Sequence, residues 1–180
     1  MKHERRAQVT ELRAKGRRLE GYAATFNTET RIADAWSETI APGAFSASIG
    51  RATDILALVD HDPARVLGRT RSGTLRLSED TRGLAFDLDV PDTQAGRDVL
   101  ALAERGDLGG MSFGFTVRDE HRSGDRRELR AVDLFEISVV SAWPAYPETV
   151  VQARSQVQLP QHLAHAARTL RIMEAMKWGS

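Results

Sequence analysis

Four strand-length segments crowd into residues 54–90 with only turns between them. Residues 54–60 (Asp-Ile-Leu-Ala-Leu-Val-Asp) form an apolar run too short for a typical helix, and 66–71, 74–77 and 84–90 repeat the pattern. Ser72-Gly73 and the polar stretch 79–83 supply the turns. Short strands in such quick succession predict an antiparallel sheet or a barrel.

The rest of the chain fits around that block. Strands are expected over 17–25, where Leu19, Gly21, Ala23 and Thr25 share a face, and over 36–40, with a loop at 27–34 between them. Pro42 suits the first turn of a short helix running through Ala44, Phe45 and Ile49 to Gly50. The period changes at 93–105, where Ala95, Val99, Leu102 and Ala103 fall on one helical face; Asp92 is the expected N-cap and Gly106 the stop. A charged hairpin loop at 120–127 leads to a long strand over 128–141, ended by Pro144 and Pro147.

Three segments follow from this reading. Residues 1–16 are polar and expected to be loosely ordered, 17–150 form one domain, and 151–180 combine a linker with an amphipathic helix marked by Leu163, Ala166, Leu170 and Met173. A domain of this size buries roughly 68–70% of its unfolded surface and needs no staple. None is available: the chain has no cysteine, which excludes disulfides, a thiol nucleophile and Cys-ligated zinc. Basic and acidic residues balance at 25 each, which argues against a dedicated nucleic-acid binder. The charged start Met1-Lys2-His3-Glu4-Arg5-Arg6 lacks an apolar segment behind it, and no run of apolar residues is long enough to span a bilayer. A soluble intracellular protein is expected.

Chemistry concentrates at three places. In Gly110-Met111-Ser112-Phe113-Gly114-Phe115-Thr116, alternation sends Met111, Phe113, Phe115 and Val117 into a core and sets Ser112 on the opposite face between two glycines. A hydroxyl in that clearing is open to a peptide backbone. The strand continues beyond it, so this is no strand-to-helix nucleophile elbow. A serine needs a base, and His61 ends the apolar run at Asp60-His61-Asp62-Pro63, where a strand end could present an imidazole to a cleft. A capping histidine and a metal ligand are the other readings of His61. No second histidine stands at ligand spacing in that segment. His121 reads as a solvated loop residue. Glu136 interrupts the apolar strand Leu134-Phe135-Glu136-Ile137-Ser138-Val139-Val140, and a buried carboxylate needs a partner such as an imidazole N–H. An edge position facing water or an arginine would satisfy it equally, and Asp133 is the reserve for the orienting role.

With His61, Ser112 and Glu136 in that order, the sequence resembles the HK97-type phage prohead (capsid maturation) proteases, relatives of the herpesvirus assemblins. The resemblance covers about residues 21–149. It rests on Gly21-Tyr22-Ala23-Ala24 with Phe26-Asn27, Ile40-Ala41-Pro42-Gly43-Ala44-Phe45, and His61-Asp62 with Val66-Leu67-Gly68-Arg69-Thr70. It continues through Ser72-Gly73-Thr74-Leu75-Arg76-Leu77, Gly96-Arg97-Asp98 and Arg105-Gly106-Asp107, then through the Ser112 and Glu136 strands to Pro144-Ala145-Tyr146-Pro147.

The resemblance implies an α+β fold with a mainly antiparallel, assemblin-like β-barrel core and flanking helices. It also implies a serine endopeptidase in which His61 is the general base, Ser112 the nucleophile and Glu136 the residue that orients His61, with backbone N–H groups near 110–112 or an arginine-held water at the oxyanion. No cofactor or metal is implied. The substrates would be scaffold or the scaffolding segment of the major capsid protein, and the site of action the assembling prohead in the bacterial cytoplasm. A phage or a gene transfer agent could carry such an enzyme, dimers are expected by analogy, and the tail at 151–180 could be removed by autoprocessing. The alternatives are a catalytically silent assembly factor with the same fold and a metal-dependent hydrolase centred on Asp60-His61-Asp62. The Arg105-Gly106-Asp107 tripeptide reads as a helix end rather than an adhesion motif.

Overall fold

The computed structural model describes residues 3–8, 12–32, 35–51 and 53–141. The C-terminal segment read as a linker and helix lies outside the described residues. Strands β1 (Glu4–Gln8), β2 (Leu12–Lys15), β3 (Arg18–Thr25), β4 (Thr30–Ile32) and β5 (Trp36–Ile40) precede helix α1 (Ser46–Gly50). Strands β6 (Leu56–Val59), β7 (Asp62–Arg69), β8 (Leu75–Glu79) and β9 (Gly83–Asp89) come before α2 (Gln94–Arg105). The long hairpin β10 (Gly110–Ser123) and β11 (Arg126–Val140) follows.

These strands form two sheets. One is four-stranded and antiparallel, ordered β2-β3-β9-β8. The other is seven-stranded and centred on β11, which pairs antiparallel with β10 along its length and parallel with two short strands on its other edge. Its first residues pair with β5 and its last with β6. The α+β character and the mainly antiparallel pairing agree with the sequence reading, but among the described residues neither sheet closes into a barrel. Among the described residues, strands β1, β4, β7, β2 and β8 each end a sheet with no further strand alongside.

Helix α1 explains the interruption between β5 and β6. It fills the gap beside β11, where Val132 N–H donates to the Ala44 carbonyl at 3.0 Å and Leu134 N–H to the buried Ser48 hydroxyl at 2.8 Å. A helix thus completes the hydrogen bonding that a strand supplies elsewhere. Its own start is capped from outside, by Glu79 of β8 accepting from the Phe45 amide at 2.9 Å.

The core lies between the sheets. Leu19, Ala23, Leu84, Phe86 and Leu88 come from one sheet and Phe113, Phe115, Ile137 and Val139 from the other, with Phe45 set edge-on to Phe113 at 5.5 Å. Helix α2 begins on Thr93, whose hydroxyl accepts from Gly96 N–H at 3.2 Å, not on Asp92 as expected. It stops at Gly106 in the left-handed conformation (φ 72°).

Charge accounts for the departures at β1 and in the β10–β11 hairpin. Residues 4–8 and 12–15, expected to be loosely ordered, are strands, and the presumed loop at 120–127 is mostly ladder, turning only at Gly124-Asp125. Strand β4 likewise forms inside the expected loop at 27–34. In β1 the inward position is Arg6, 6% exposed and held bidentate by Glu38 of β5. Arg127 of β11 joins them through Glu38 at 3.0 Å and Glu4 at 2.8 Å, and reaches Glu120 of β10 at 2.6 Å. Ion pairs here occupy positions where apolar alternation would have marked a strand.

Candidate active site

Strand alternation builds the site on the face of the large sheet turned away from the core. Across that face Ala7, Ser112, Ser138 and Leu58 form one row, and Arg5, Gly114, Glu136 and Leu56 the next. Directly opposed residues in a sheet share a face, so the register alone gathers Ser112, Glu136 and Ser138.

The histidine reaches them from a hairpin turn. Val59 pairs with Asp62, leaving Asp60 and His61 as the two turn residues between β6 and β7. Both have positive φ, 51° and 62°, the sense required to match the twist of two antiparallel strands. Such turns usually carry Asn or Gly, and a left-handed histidine is uncommon. The turn is secured from Asp60, whose carboxylate accepts from Ser141 N–H at 2.8 Å, Ser141 Oγ at 2.8 Å and Arg65 at 3.1 Å. The run therefore does not end on a plain strand terminus; it ends in a strained turn tied to the end of β11.

His61 Nδ1 lies 2.6 Å from Glu136 Oε1, with both side chains largely buried. An ionised carboxylate can only accept, so Nδ1 is the donor in this contact, and in the neutral ring the lone pair then lies on Nε2. The second carboxylate oxygen, Oε2, accepts from Ser138 Oγ at 2.5 Å. Arg5 Nε stands 3.9 Å from Oε1 on the exposed side. Of the readings open for Glu136, the imidazole partner is the one present, and arginine is peripheral.

Gly114 makes this possible. A Cβ there would come within 2.5 Å of Glu136 Oε1 and 3.1 Å of its Cδ. One half of the clearing read beside Ser112 is thus filled by the carboxylate instead of being open to a peptide. Gly114→Ala is expected to push Glu136 away from His61 and lower the turnover attributed to this site by about 10²-fold or more, because misplacement by an ångström carries that penalty. The displaced group is the end of a flexible side chain, so a thermal melt should change little while the rate falls.

Ser112 sits diagonally across from Glu136, a Cα separation of roughly 7–8 Å for such positions. It is 1% exposed, and among the described residues its Oγ makes no hydrogen bond, to His61 or any other group. Buried hydroxyls are ordinarily satisfied, and a catalytic role is one of the explanations an exception calls for. The amides of 111–114 are not spare, since this stretch pairs with β1 on one side and β11 on the other.

The aspartates of the alternative metal reading are otherwise engaged, Asp60 as described and Asp62 accepting from Ala64 N–H at 2.9 Å. Asp133, the reserve for the orienting role, instead pairs with Arg51 and Arg118. Ser138 and the buttressing role of Gly114 were not read from the sequence. Ser138 stands two residues beyond Glu136, on the same face, and that spacing was the available signal.

A family model described as caudovirus prohead serine protease matches residues 4–162. No curated protein and no solved structure matches the chain.

Proposed function

The chain belongs to the caudovirus prohead serine protease family, and on that premise we propose that Ser112, His61 and Glu136 are its nucleophile, general base and orienting acid. The observation that carries the assignment is an imidazole fixed through Nδ1 by Glu136, which stands diagonally across the β10–β11 ladder from a buried serine hydroxyl that makes no hydrogen bond among the described residues. In the proposed reaction His61 Nε2 takes the Ser112 proton as Oγ attacks the scissile carbonyl, then returns it to the leaving amine. Glu136 holds the tautomer and stabilises the imidazolium, and Ser138 holds Glu136. The imidazole and hydroxyl must close together when substrate binds, as catalytic hydrogen bonds often do.

The proposed substrates are capsid proteins, either scaffold or the scaffolding segment of the major capsid protein, cut inside the assembling prohead. The assemblin-like reading of the fold is supported by the mainly antiparallel strands around this site. The proposed domain takes in β1 and β2 as well as the residues read at 17–150, a reading supported by their pairing with β10 and β3. Removal of 151–180 by self-cleavage and a dimeric state remain parts of the proposal.

The test is co-expression with the cognate capsid protein. A shortened capsid subunit, blocked by a serine-directed fluorophosphonate that adds its mass to the peptide containing Ser112, is the expected result. Cleavage that persists with Ser112 unlabelled would sink the assignment. A silent assembly factor would produce no shortened subunit at all.

A further inference from the structure

Among the described residues the exposed large hydrophobics are Val66 and Phe135, each 39% exposed. Both belong to the face that carries Ser112. Val66 is opposite Leu58, which continues the Ser112–Ser138 row to the far rim of the sheet. Phe135 gets there through a β-bulge: Gly114 faces Glu136, but the next residue, Phe115, faces Leu134, so Phe135 is the extra residue. Without the bulge, alternation would send Phe135 inward alongside Ile137. Bulges of this kind re-aim a side chain, and here the re-aimed side chain is an aromatic ring brought out of a core.

The ring is not alone. His3 packs against it with centroids 4.9 Å apart and planes tilted by 44°. His3, Arg5 and Ala7 share a face of the N-terminal strand region, and Ala7 is the residue opposite Ser112. Phe135 is three positions from Ser138, the residue across from Ser112, which places it roughly 10 Å along the strand direction from the hydroxyl. Three residues of extended peptide cover that span.

We infer that Phe135, backed by His3, is the subsite for an aliphatic or aromatic side chain of the substrate, about three residues from the bond that is cut. The occupant is an extended segment of the protein substrate. Exposed aromatic rings beside a polar site are the usual anchors for such chains. The inference rests on Ser112 being the nucleophile.

The test uses the full chain and a library of internally quenched peptides randomised one position at a time. The wild type should select apolar side chains at one position near the cut. Phe135→Ala should lower kcat/KM for those peptides roughly tenfold, mainly through KM, with preferences elsewhere unchanged, and Phe135→Leu should restore most of it. An unaltered profile in Phe135→Ala, with Ser112→Ala inactive, overturns the subsite and leaves the nucleophile standing. Cleavage that survives in Ser112→Ala removes both. If Phe135→Ala instead converts a dimer to a monomer in size-exclusion chromatography, the face is a self-contact and the subsite is overturned.

Discussion

Ser112→Ala is expected to abolish cleavage of a co-expressed capsid protein and to leave the protein at least as stable as the wild type. Loss of a serine nucleophile from a Ser-His-acid set typically costs a factor of about 10⁴ or more, so gel or mass analysis of the capsid subunit should show only the uncut form. The stability half separates a catalytic serine from a structural one. Ser112 Oγ is buried without a hydrogen-bond partner among the described residues, and an unsatisfied buried hydroxyl costs about 1–3 kcal/mol. Replacing it with a methyl group removes that cost at nearly constant shape, and a thermal melt should rise or stay level. Full activity in the variant would end the nucleophile assignment. A large drop in melting temperature would show that the hydroxyl has a partner in the folded protein.

The largest stability loss is expected from Arg127→Ala. Arg127 is 4% exposed and bridges Glu4, Glu38 and Glu120. Glu38 is itself 3% exposed and, among the described residues, would keep Arg6 alone as its cationic partner. Breaking a buried ion network from one side costs about 3–5 kcal/mol, because the remaining charges stay desolvated. For a domain of this size that is a fall of roughly 10–15 °C in Tm. Arg118→Ala, which removes a half-exposed partner of Asp133, should cost under about 1 kcal/mol and serves as the control. The same network sets an acid limit. Burial opposes the charged form of Glu4, but hydrogen bonds from Arg127 and Arg6 outweigh it and hold the carboxyl at about 2, below its ordinary 4.5. The unfolded chain therefore takes up this proton first as pH falls. The stabilisation is complete above about pH 4.5 and lost progressively towards pH 2. In Arg127→Ala the acid transition should move to higher pH, and circular dichroism against pH would show it.

How much of this was legible in the sequence depended on whether burial was apolar. Strands β3, β5, β6, β8 and β9 announced themselves through alternation or apolar runs, and α2 through its period and its glycine stop. Strand β1 did not, because its buried position is Arg6, whose buried partner Glu38 lies 32 residues away and in turn holds Arg127, 89 residues further on. Neither did the extension of the β10–β11 hairpin, whose charges pair across the ladder. At the site, Ser112, His61 and Glu136 were all nameable from local context, and the contact between His61 and Glu136 was among the readings left open. The turn geometry at Asp60-His61 was hidden because aspartate and histidine are not the residues a positive-φ pair normally uses. The bulge at Phe135 was hidden because an unbroken apolar run gives no sign of where a register slips.

The parallel pairing of β6 with β11 also bears on when the proposed site is complete. His61 and Glu136 are 75 residues apart in the chain, and the pairing that joins their strands closes a loop of similar length. Such non-local pairing is slow and comes late, after hairpins such as β8–β9 can form from neighbouring sequence. During synthesis the histidine emerges first, the serine next and the carboxylate last. Until β11 docks, the imidazole has no fixed tautomer and the hydroxyl lies on an unfinished edge. On the proposed assignment a nascent or partly folded copy therefore lacks its complete site, and the chain order places the onset of the proposed proteolysis after the fold has closed.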